Sequence, residues 1–189
     1  MKSLISFCVA LALVAGTAMA EDLKSGLQPG QGIGAFDVLK CSGAADDGVK
    51  VGAQLCYRCK YGARPMVMVF SRSNDENIAA LAKKLDAAVA ENADRKLAAF
   101  VNLLGEDREE LESAATKLGN ANKLAKVPVV VPVEFDNGPG DYGINPKADV
   151  TIILASGSKV KANHAFAKGE LNEKAIAGIL NDIPKLLGK

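Results

Sequence analysis

Residues 142–160 read YGINPKADVTIILASGSKV. The run 149–155 is almost continuously apolar, rich in Val, Ile and Thr, and of strand length. Ser156, Gly157 and Ser158 then mark a tight turn, and KVKANHAF (159–166) returns as a second strand. This spacing predicts a β-hairpin with a buried first strand. Upstream, FDNGPGDYGINPKA (135–148) is dense in Gly, Pro, Asn and Asp and reads as a loop. Downstream, an amphipathic helix is expected from Asn172 to Leu187, shortened or bent by Pro184.

Moving toward the N-terminus, PMVMVF (65–70) is a short continuous apolar run, as expected for a strand buried on both faces. Ser73 or Asn74 can cap a helix behind it, with Asp75 and Glu76 in its first turn. Ile78, Leu81, Leu85 and Val89 recur at helical spacing, so one face is apolar to about Glu91. LAAFVNLL (97–104) is a second buried strand, and EDREELESAATKLG (106–119) a second helix ending at Gly119. VPVVVPVE (127–134) is a third apolar run whose Pro128 and Pro132 push it toward a sheet margin or a short strand. GAFDVLK (34–40) and VKVGAQL (49–55) read as an N-terminal β-hairpin. Alternating β and α units with a terminal hairpin and helix predict an α/β fold: a mixed sheet with helices on both faces.

The first twenty residues, MKSLISFCVALALVAGTAMA, carry Lys2, a short apolar run and small residues before Glu21. They read as a secretory signal peptide, residues 1–20, and imply a periplasmic or secreted mature chain in an oxidising compartment. The apolar run is too short to span a bilayer, which takes roughly 20 residues, and no stable membrane insertion of the mature form is expected. Removing Lys2 leaves acids and bases in balance. That excludes the basic surplus that nucleic acid or an anionic membrane would require. Residues 21–33 form an irregular lead-in, and 34–189 are expected to be a single domain.

The chain resembles the thioredoxin-like superfamily, nearer its secreted bacterial, peroxiredoxin-like branch than thioredoxin itself. The resemblance covers about 34–187. It rests on the N-terminal hairpin, on Tyr142-Gly143-Ile144 ahead of the DVTIILASGSKV hairpin, and on the final helix. It implies a thioredoxin-like sheet and thiol chemistry, but the residues depart from the family where that chemistry usually sits. After the first central strand stand Ser71, Arg72, Ser73 and Asn74, without sulfur. The family's proline before the later hairpin would align near Ala148, Asp149 and Val150, where there is none.

The sulfur lies instead in LCYRCKYGARP (55–65), before the strand, where Cys56 and Cys59 frame Tyr57 and Arg58. A six-residue strand spans roughly 20 Å, so the pair is expected near the opposite pole unless residues 60–64 fold back along the sheet. If the hairpin closes around 42–49, Cys41 faces about Lys50. It is then too far from Cys56 for the roughly 7 Å between Cα atoms that a disulfide needs, which leaves Cys56–Cys59 as the expected bond. Three readings stay open for this pair.

The first reading is thiol–disulfide exchange with a protein or small-molecule thiol or disulfide partner, which would make the chain an oxidoreductase. Cys56 would attack and Cys59 resolve, with Arg58, Lys60 and Arg64 favouring thiolate. The second is a non-catalytic binding or scaffold module. Its CxxC would be a local clip, although so small a loop restrains little of the unfolded chain, and Tyr57 and Tyr61 would offer a stacking surface. The third joins Cys41, Cys56, Cys59 and His164 into a metal set, and it is discounted because His164 should lie at the pole the cysteines have left. No metal and no cofactor is therefore expected. Cys41 is read as a free thiol or a bond to another chain. GQGIG (30–34) neither follows a strand nor opens a helix, and so fails the context for phosphate binding.

Overall fold

The structure is a computed structural model describing residues 23–188. The leader read in residues 1–20 lies outside the described residues. Seven strands form one sheet: β1 (Val38–Ser42), β2 (Gln54–Leu55), β3 (Met66–Ser71), β4 (Ala98–Leu103), β5 (Val129–Pro132), β6 (Val150–Ser156) and β7 (Lys159–Phe166). Their order across the sheet is β2-β1-β5-β4-β3-β6-β7. The three parallel strands β3, β4 and β5 lie side by side, with antiparallel strands flanking them.

Among the described residues four helices accompany the sheet: α1 (Tyr57–Tyr61), α2 (Glu76–Glu91), α3 (Arg108–Ala121) and α4 (Glu173–Leu186). The crossovers β3-α2-β4 and β4-α3-β5 step in the same direction across the sheet. Their shared handedness puts α2 and α3 on one face. There Val67, Val69, Val101, Val129 and Ile152 meet Leu81, Leu85 and Leu118, with Ile176 and Ile179 of α4. The second face carries Met66, Met68, Phe70, Phe100 and Ile153, covered by α1, by Phe36 just ahead of β1 and by Tyr142 of a 3-10 turn, Gly140–Tyr142. The predicted mixed sheet with helices on both faces is therefore present, with the three long helices on one side and short elements on the other.

Asp75 caps α2, accepting from the backbone N–H groups of Asn77 and Ile78, one residue beyond the caps expected. Helix α3 runs two residues past Gly119. That glycine lies inside the last turn because the helix there presses on β1: a methyl at this position would sit 2.1 Å from the Ser42 hydroxyl oxygen. Pro184 is accommodated in the last turn of α4, so the helix ends where expected.

One expectation is met in its second form and one needs correction. The run 127–134 is a short strand of four residues, inside the sheet as third of seven and not at its margin. Its prolines are tolerated because Val133 donates to Asp37, which leaves Pro132 opposite Val38 at a position needing no donor. The second strand of the N-terminal hairpin is not 49–55 but Gln54–Leu55, because Gly48 and Gly52, at φ 77° and 83°, turn the chain out of strand geometry. Val51, read as part of that strand, is 66% exposed.

Candidate functional site

The site begins with a buried lysine. Val38 and Lys40 point to the second face of the sheet by strand alternation, and Lys40 is 1% exposed. Its ammonium donates to Ala44 O at 2.9 Å, Val49 O at 2.9 Å and Asp47 Oδ1 at 2.8 Å. A buried charge requires such partners, and they shape the loop between β1 and β2. Asp47 also accepts from the Val49 N–H and, through Oδ2, from the Tyr57 hydroxyl at 2.5 Å. Burial alone would raise its carboxyl, but the bonds from Lys40, Tyr57 and Val49 outweigh that and hold it below the ordinary range.

Tyr57 opens α1, and Tyr61 lies one turn on, so both rings face the sheet and pack on Phe100. They are 0% and 7% exposed, which corrects the expectation that they offer a stacking surface to a partner. Burial raises both phenols above their usual range, and the Asp47 carboxylate adds to the effect. Arg58 Nε donates to Ile33 O at 3.2 Å and Arg64 Nε to Lys96 O at 2.8 Å, which ties α1 to the lead-in and to the entry of β4.

Helical geometry then decides where the sulfur goes. With Tyr57 and Tyr61 inward, Cys59 and Lys60 are exposed and Cys56 is half-buried. Cys56 and Cys59 are bonded, with Cα atoms 5.1 Å apart, and Cys56 Sγ caps α1 by accepting the Cys59 N–H at 3.0 Å. Since Leu55 pairs with Val38, itself opposite Pro132, β2 ends beside the end of β5, and the link to β3 must return along the second face. The pair rides on that return. Only the chain after Tyr61 reaches the N-terminal pole, where Ala63 O accepts from Gly157.

The usual position of sulfur in this fold, at the end of β3, holds a cavity of about 260 Å³ instead. It is lined by Ser71, Arg72, Ser73, Glu106, Asp107 and Glu110. Arg72 donates through its two terminal nitrogens to Asp136 O and Asn137 Oδ1, while its buried Nε has no partner among the described residues, and the Ser73 hydroxyl donates to Asp149 Oδ2 at 2.5 Å.

The four residues of the metal reading are not brought together. Cys41 is buried under α3 on the first face as a free thiol, 5% exposed. At that burial the thiol is not exposed for a bond to another chain. Its thiol is pushed up to about 11, first by burial and then by Glu112. His164 sits inside β7, paired with Ile152, and meets Asp182 Oδ2 of α4 at 2.9 Å. Among the described residues no group of three or more His, Cys, Asp or Glu is placed to hold a metal ion, and no helix is long and apolar enough to cross a membrane.

Sequence reasoning missed α1 and the Lys40–Asp47–Tyr57 network. Both had a signal: the i, i+4 spacing of Tyr57 and Tyr61, and the strand parity of Val38 and Lys40.

No family model and no curated protein matches the chain. Solved structures do. A chain provisionally assigned as thiol:disulfide interchange protein DsbE from Chlorobium tepidum aligns at TM-score 0.62 and 14% identity, covering 86% of this chain and 99% of that one. One provisionally assigned as a protein disulfide isomerase from Bacteroides thetaiotaomicron gives 0.60 and 12%, covering 87% and 94%. AhpC from Mycobacterium tuberculosis gives 0.53 and 12%, covering 86% and 96%. At these identities the likeness is one of architecture: the chain has a thioredoxin-like fold, and it carries a formed Cys56–Cys59 disulfide on a short helix over the second face of its sheet.

Proposed function

We propose that this protein is a secreted or periplasmic thiol–disulfide exchange protein working through Cys56 and Cys59. The observation that carries the reading is the placement of the bond: on the solvent side of α1, with Cys59 exposed and the Cys56 sulfur accepting the Cys59 N–H.

That hydrogen bond stabilises negative charge on Cys56, and Arg58 and Lys60 add cationic surroundings. A partner thiolate attacks the exposed Cys59 sulfur, the Cys56–Cys59 bond breaks, and its electron pair leaves on Cys56, the better leaving group. A second partner thiolate then attacks the mixed disulfide and frees Cys59. The partner is oxidised by two electrons and the pair is reduced; reduction of a partner disulfide runs the same steps backward. In this reading the exposed Cys59 carries the mixed disulfide and Cys56 resolves it, whereas the sequence reading had Cys56 attack and Cys59 resolve.

The scaffold reading asks the bond to act as a clip, but α1 does not depend on it for its position. Burying two tyrosine rings at on the order of 200 Å² each, with about 25 cal/mol per Å², contributes on the order of 10 kcal/mol gross. Closing so small a loop contributes about 2 kcal/mol at most. The test is reduction of insulin in the presence of a dithiol. Wild type is expected to accelerate it and the Cys56→Ser/Cys59→Ser variant to lose that acceleration; equal rates would exclude the proposal.

A further inference from the structure

Beside the disulfide lies a groove that the exchange chemistry does not use. It has a volume of about 550 Å³, within the range of sites that hold ligands. Its floor is apolar: Tyr61, Val89, Ala90, Ala93 and Leu97. Its rim carries Lys60, Arg64 and Lys126. Lys60, which lines the groove, directly follows Cys59, so the Cα atoms of the two residues are about 3.8 Å apart.

The charge on this rim is not cancelled from within. Among the described residues none of the three cations forms an ion pair with an acid. Arg64 lies over the Tyr61 ring at 5.2 Å and keeps its remaining donors free of carboxylate. Three acids nearby form other bonds, Asp86 among them at the rim itself. Asp47 lines the groove but is matched by buried Lys40. Asp86 accepts the backbone N–H groups of Lys126 and Val127, and Asp94 meets Arg95. Three free cations around an apolar trough fit an extended chain that offers carboxylates to the rim and small apolar groups to the floor.

Resting on the exchange reading above, we propose that this groove selects its partner: an acidic peptide segment that carries the reacting cysteine and docks with its carboxylates on Lys60, Arg64 and Lys126. Docking brings the partner thiolate to Cys59, and exchange then proceeds as written, with the partner's thiols as the electron donors.

The test uses the oxidised full chain and four thiols: cysteine peptides with acidic, neutral or basic flanks, and mercaptosuccinate as a small acidic probe. Rates are expressed per thiolate, so that flanking charges acting on the peptide's own thiol cancel. At low salt the acidic peptide is expected to react about 10-fold faster than the neutral one and the basic peptide slower, the preference shrinking as salt screens it. In Lys126→Glu, an exposed position, the acidic-to-neutral ratio is expected to fall several-fold. Equal or reversed rates would overturn selection by the groove while leaving exchange intact, because the neutral peptide still reacts. Mercaptosuccinate as strongly favoured as the acidic peptide would overturn the peptide as occupant. No reaction with the neutral peptide would instead remove the exchange reading on which the proposal stands.

Discussion

The Tyr57 hydroxyl donates to Asp47 Oδ2 at 2.5 Å, while the other oxygen of the same carboxylate accepts from Lys40 at 2.8 Å. One side chain thus couples a buried lysine of the first strand to the residue next to Cys56. The helix that presents the sulfur is held from behind by a buried charge pair.

Asp47→Asn removes the carboxylate charge that matches the buried Lys40 ammonium and leaves it only neutral oxygens. Removing one partner of a buried pair costs about 3–5 kcal/mol. Tyr57→Phe keeps the packing on Phe100 and loses one hydrogen bond to a charged group, worth about 1.5–3 kcal/mol. Urea unfolding measures both, and a change below about 1 kcal/mol in Asp47→Asn would show that the pair does not hold the loop.

Acid stability follows from the same carboxylate. Asp47 is held below its ordinary range in the folded chain, as is Asp182, chiefly by its hydrogen bond from Lys185. A group depressed in this way contributes stability above its unfolded value, near 3.9, and loses it as pH falls through the folded value. Stability is therefore expected to be flat near neutrality and to drop below about pH 4. The drop should be shallower in Asp47→Asn. An unchanged acid slope in that variant would mean that the Asp47 carboxyl titrates alike in folded and unfolded chains.

The order of attack has its own test. Cys56→Ser leaves Cys59 able to form a mixed disulfide that nothing resolves, so this variant is expected to accumulate adducts with thiol partners. Cys59→Ser should trap few. Mass spectrometry of the intact adducts reads the outcome, and accumulation on Cys59→Ser alone would restore the order in which Cys56 attacks.

How much of this was legible beforehand depends on which force placed each residue. Strands β3, β4 and β6 were readable because burial on both faces leaves continuous runs such as PMVMVF and DVTIILA. The Cys56–Cys59 bond was readable because, on the expected hairpin register, Cys41 could not reach Cys56. Structure makes that separation firmer still, since Cys41 lies on the other face of the sheet.

Helix α1 was not read, because its one signal, the i, i+4 pair Tyr57 and Tyr61, is a single step of the helical period, and its stability comes from Phe100, far along the chain. The false strand at 49–55 had apolar alternation at Val49 and Val51, but the Lys40 ammonium holds the Val49 carbonyl for itself. Side-chain demand for a hydrogen-bond partner overrode the local pattern there.

The central claim is that Cys56 and Cys59 cycle, and their reduction potential tests it most directly. Equilibration with glutathione buffers of known potential, followed by mass mapping of free and bonded thiols, gives that value. A working pair is expected between about −120 and −270 mV, the span of known exchange proteins. A value below about −300 mV would mark a permanent bond and contradict the account.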